Sequence, residues 1–160
     1  MPQQITTQSF LERLAVLEDQ VAQLRRSGQE RDEVPFYPTS MRTMPYEDST
    51  TLTTLSEVII TPRTAALSLG LVLIGDQVSS TNTGGEWAVV LNDVDTVMSG
   101  TIAATFSYQF AAQVIDLTPY RGTQQLKIQL KARRTSGATT GGKFGGGGSV
   151  SISPRYARLI

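Results

Sequence analysis

Four stretches of this 160-residue chain carry residue types that could do chemistry. The first, Gly137-Ala-Thr-Thr-Gly-Gly142-Lys143-Phe144, nearly spells the phosphate-binding loop G-x-x-x-x-G-K-[S/T]. Phe144 stands where the magnesium-binding hydroxyl belongs, and Gly145–Gly148 follow where a helix should open. A long glycine loop between the last two strands is the simpler account. The second, Asn92-Asp93-Val94-Asp95, offers oxygen ligands for calcium. No complete loop signature follows it, and Asn-Asp is also a common hairpin turn. The third is a scattered set, Asp76, Glu86 and Asp116, from which a glycosidase would need two neighbouring carboxylates; the spacing brings no two together. The fourth is Trp87, which falls in a strand pattern and so belongs to a core before it serves as a sugar-stacking surface.

What the chain lacks is sharper than what it offers. It has no histidine and no cysteine. The usual general base, the usual metal ligands, disulfides and thiolate chemistry go with them. The expectation is no enzyme, no catalytic residue, no cofactor and no metal. The residues left for recognition are on turns and loops: Asn82, Tyr120, Arg121, Lys143 and Phe144 are the candidates for contact with a partner or a glycan. The polar start, Met1-Pro2-Gln3-Gln4-Ile5-Thr6, has no signal-peptide pattern. The longest apolar run, around Ala65–Ile74, is broken by Ser68 and Gly70 and is too short to span a bilayer.

Charge is balanced overall but not along the chain. Residues 1–116 hold all 14 acids and 6 of the 14 bases; residues 117–160 hold the other 8 bases and no acid. Such asymmetry fits a basic face for a polyanion. It also fits C-terminal strands that lie beside the acidic part, within one domain or between subunits. The bases alternate along strands instead of clustering, which favours the second account and no nucleic acid.

The element that would position everything else is a helix. Phe10, Leu14, Leu17, Val21 and Leu24 are spaced 4, 3, 4 and 3 apart, the seam of a heptad repeat. Within it, Arg13-Leu14-Ala15-Val16-Leu17-Glu18 resembles the trimerisation motif of short parallel coiled coils, with Arg13 and Glu18 flanking the seam for a cross-chain ion pair. Ser9 and Glu12 form a capping box, and Gly28 follows Arg25 and Arg26 at the other end. The expected helix covers residues 10–27. A helix that short is marginal alone, so it needs partners: sister helices, three or two, or the chain's own domain.

Residues 28–49 carry Pro35, Pro38 and Pro45 among Tyr37, Met41, Met44 and Tyr46. Proline at this density excludes a helix. Either an extended arm lies against a protein surface, its own or a neighbour's, or the segment is a tether. From Thr50 onward the apolar period is two. The alternating runs are Leu67–Ile74, Thr101–Phe110, Leu126–Arg133 and Ser149–Ser153, with further strands near Thr51–Ile60 and Glu86–Leu91. The first is apolar on both faces from Leu71, so it should be central or covered by another subunit. Many short strands with turns between them and no second helix predict a mainly β fold, an antiparallel β-sandwich of jelly-roll type behind one N-terminal coiled-coil helix.

The order Thr51–Pro62, an apolar strand, Glu86-Trp-Ala-Val-Val-Leu, Gln113–Gly122, Leu126–Gly137, a glycine-rich loop and a last strand resembles the β-sandwich heads of phage tail fibres, minor tail proteins and head fibres or decoration proteins, especially those of actinobacterial phages. The resemblance covers about residues 50–160. It implies a homotrimeric virion surface protein, made in the host cytoplasm. In that layout residues 1–9 anchor to other virion proteins, helped by the 28–49 arm; residues 10–27 form the coiled coil and residues 50–160 the head. A host-surface glycan is the alternative partner.

Overall fold

The computed structural model describes residues 13–22, 33–35, 44–78, 81–122, 125–137 and 148–160. The chain divides into two compact units, Met1–Glu33 and Val34–Ile160. In the first, residues 13–22 are α-helical (α1). The rest of the expected helix, with Phe10, Leu24 and both caps, lies outside the described residues.

The second unit is β. Strands make up more than half of the described residues, so the class is mainly β. The strands are β1 (Glu33–Pro35), β2 (Tyr46–Glu47), β3 (Thr53–Ile60), β4 (Ala66–Gly75), β5 (Gln77–Val78), β6 (Thr81–Asn82), β7 (Gly85–Leu91), β8 (Asp95–Ile102), β9 (Gln109–Asp116), β10 (Leu126–Arg134) and β11 (Val150–Leu159). One sheet has the order β1-β11-β4-β9, with β2 also on β11; the other has the order β3-β10-β7-β8. The pairings of β2, β3, β4 and β7 through β11 are all antiparallel. β5 and β6 form a small separate ribbon.

Period-two patterning drives both sheets onto one core. Leu67, Leu69, Leu71 and Leu73 of β4 meet Trp87, Val89 and Leu91 of β7 and Leu126, Ile128 and Leu130 of β10. Each such side chain contributes about 2 kcal/mol relative to exposure. The indole of Trp87 lies over Gly100 of β8, where a side chain would meet the ring at 3.0 Å.

The outer face of β4 is covered as well. Val72 and Ile74 form a second cluster with Met44 and Phe106. β4 is therefore central, as its sequence requires, and the cover comes from this chain. Pro45 is fixed beside Met44, because its carbonyl accepts a hydrogen bond from the Ser151 hydroxyl. The arm's last residues thus belong to the β unit, upstream of residue 50.

The run 101–110 is not one strand. β8 ends at Ile102 and β9 begins at Gln109. The Gln109 side chain accepts from the Ala103 N–H at 2.8 Å and donates to its carbonyl at 3.2 Å. Side-chain bonds of this kind compete with the ladder, and alternation alone does not register them. β11 runs six residues past the expected end at Ser153, through Pro154, because a register shift between Pro154 and Tyr156 accommodates the missing N–H.

Candidate functional site

On α1, Leu14, Leu17 and Val21 are 43 %, 57 % and 47 % exposed. At 3.6 residues per turn they fall within about 60° of one another, with Arg13 and Glu18 on the two flanks. Every side chain from 13 through 21 is exposed. Nine successive exposed side chains leave this segment too little burial to hold itself in water. The sequence supplies one apolar stripe to remedy that.

The β unit answers the charge asymmetry. β10, from the basic third of the chain, is inserted between β3 and β7, from the acidic part. Lys127 Nζ lies 2.5 Å from the Asp93 carboxylate, and Arg133 donates to Glu86 at 2.9 Å and 2.6 Å. Gln129 donates to Glu57 at 2.7 Å. The Lys127 ammonium holds the Asp93 carboxyl below its ordinary value of 3.8, mainly through their hydrogen bond. Bases expected beside acids within one domain are found there.

The candidate chemistry disperses. Asp116 pairs with Ala66 at one end of β4, and Asp76 follows Gly75 at the other. Ten strand residues separate them, roughly 30 Å, so they form no carboxylate dyad. Glu86 is on the outer face of β7, bound to Arg133. Asn92 and Asp93 both have positive φ, +49° and +65°, the backbone of a tight β7–β8 turn. Asp93 is taken by Lys127, and Asp95 accepts from the Tyr120 hydroxyl at 2.5 Å. Among the described residues no group of three or more histidine, cysteine, aspartate or glutamate side chains could hold a metal ion. No described helix is long and apolar enough to cross a membrane. Trp87 is buried.

Of the loop candidates, Asn82 and Arg121 are exposed. Tyr120 is half-buried, packed on the core at the 3-10 turn Thr118–Tyr120. Lys143 and Phe144 lie outside the described residues. No protein family matches the chain, and no curated protein does. Function must be argued from surfaces.

Two surfaces stand out that loop chemistry does not suggest. On β9, Phe110 (62 % exposed), Ala112 and Val114 (56 % exposed) form an apolar ridge on the outer face. On β3, Val58 and Ile59 are 52 % and 55 % exposed. Both are edge strands in the sheet orders. The sequence carried signals for each. Val58-Ile59-Ile60 must place apolar groups on both faces of a strand, and Phe110, Ala112 and Val114 are out of phase with the inward Ile115.

Proposed function

We propose that this chain is a structural subunit of a phage particle, a homotrimeric appendage of the head-fibre, decoration or tail-fibre kind. The observation that carries it is the exposed seam Leu14, Leu17 and Val21 on a helix too short to stand alone. Three such helices side by side would cover it, with Arg13 and Glu18 placed for cross-chain pairing. The strand order supports a jelly-roll head behind the helix. The long strands β3, β4, β7–β8, β9, β10 and β11 alternate between the two sheets, as two interleaved Greek keys require. The mechanism is assembly. Burial of the seam joins the chains, and three linked anchors at residues 1–9 then hold to other virion proteins better than one, through effective concentration.

Light scattering on the whole chain should give about three times 17.3 kDa. Leu14→Asp with Leu17→Asp should reduce this to one chain or give insoluble material. An unchanged mass would move the seam elsewhere and remove the proposal's support. A chain lacking residues 1–9 should keep its trimer mass and lose association with particles.

A further inference from the structure

The two apolar edges of the β unit lie on opposite flanks. β8 stacks near β9, and β10 near β11, while β2 reaches β3 on the other side. One flank therefore ends in β9, with the ridge Phe110, Ala112 and Val114; the other ends in β3, with Val58 and Ile59. Edge strands usually carry charge or proline against association. These two carry one carboxylate each, Glu57 and Asp116, but also exposed apolar groups beside it.

We infer that, around the threefold axis, the β9 ridge of one copy of this chain packs on the β3 flank of the next. This rests on the trimer proposed above. A twofold contact needs one patch that fits itself; a ring needs two different patches on each copy. This unit has two. Each patch is bordered by one cation and one carboxylate. The Arg155 guanidinium sits 4.8 Å from the Phe110 ring centroid, and Asp116 shares the face of Val114. Glu57 shares the face of Ile59, and Lys127 is the register partner of Ile59, so the cation of one patch can meet the carboxylate of the other. Size decides the order of events. A stable interface takes about 800 Å2 and roughly 20–30 residues per partner, and each patch supplies only two or three apolar side chains. The flanks are therefore a secondary contact, made when the helical seam has already raised the local concentration of heads.

The chain has no cysteine, so an introduced thiol reports only its own position. Full-length chains carrying both Ile59→Cys and Phe110→Cys, treated with a short bismaleimide, should link into trimers on a denaturing gel. Co-expressed single variants should link one to the other, and each alone should stay unlinked. Phe110→Cys linking to itself would mean a twofold contact and overturn the inference. So would absence of linking in a particle whose light-scattering mass is still three chains. Slow maleimide labelling of Phe110→Cys in an unlinked trimer would show the ridge covered by this chain's own segments, which also overturns it. A single-chain mass would instead sink the trimer itself.

Discussion

The ring of Tyr156 fills the space in which a side chain at Gly70 would sit. The two are register partners across β11 and β4, directly after the shift at Pro154. A glycine within a strand normally weakens it. Here an aromatic neighbour covers the exposed backbone, the arrangement known as aromatic rescue. Gly70→Ala should therefore destabilise the protein by about 1–3 kcal/mol through overpacking, although alanine is ordinarily the better strand residue. The cost should shrink when Tyr156→Ala is present, giving a coupling of about 0.5–3 kcal/mol in urea unfolding of the four-member cycle. Additive losses would show that the ring does not set the constraint.

Met44 is 2 % exposed and covers Val72 and Ile74 on the outer face of β4. Met44→Ala should cost about 2–5 kcal/mol, the range for large-to-small changes in a packed cluster. A fragment 34–160 should fold, whereas a fragment 50–160 should melt lower and aggregate, since it bares Ile74 and leaves the Ser151 hydroxyl without its Pro45 carbonyl. Equal melting temperatures for the two fragments would mean that the arm adds nothing to the β unit.

These residues also show what the chain's own letters reveal. The inward faces of β4, β7 and β10 were legible because alternation is a local property, and the Asn92-Asp93 turn because its residues tolerate positive φ. The apolar outer face of β4 announced that it needed a cover. It could not name Met44 and Phe106, which come from segments 28 residues before Val72 and 34 after it. The break at 103–108 was hidden because the Gln109 caps imitate no periodicity. Charge asymmetry foretold that basic strands would meet acidic ones, but only pairing fixed Lys127 to Asp93 and Arg133 to Glu86. Alternation marks the ridge residues as strand faces but not as exposed ones, because exposure depends on which strand ends a sheet.

Stability should fall at high pH through Tyr120. Its phenol is raised above the ordinary value of 10.0, first by the hydrogen bond it donates to Asp95 and then by desolvation. A group with a raised folded pKa stabilises fully below the unfolded value and loses that contribution as pH climbs through the folded one. The loss therefore begins near pH 10. Tyr120→Phe should lower stability at pH 8 and flatten the decline above pH 10 in denaturant titrations. At the acid end the sign reverses. Asp93, held low by Lys127, stabilises above pH 3.8 and loses this as pH drops below it. Lys127→Met should shallow that acid limb, and added salt should do the same, since the pair is solvent-exposed.

The β7–β8 turn gives the most local test. Asn92 holds φ at +49° and accepts the Lys127 N–H on its side-chain oxygen at 3.0 Å, while its own N–H donates to the Lys127 carbonyl at 3.0 Å. One residue thus closes the turn and ties it to β10. Asn92→Ala removes the acceptor, worth about 1 kcal/mol. It also puts a residue without a local hydrogen-bonding side chain into the left-handed region, at roughly 1–2 kcal/mol. The expected sum is about 2–3 kcal/mol. Asn92→Gly separates the parts, because it keeps the backbone at ease and loses only the acceptor. Urea midpoints should rank the wild type first, Asn92→Gly second and Asn92→Ala last. If glycine proves as costly as alanine, the bond to β10 and not the backbone conformation dominates at this corner.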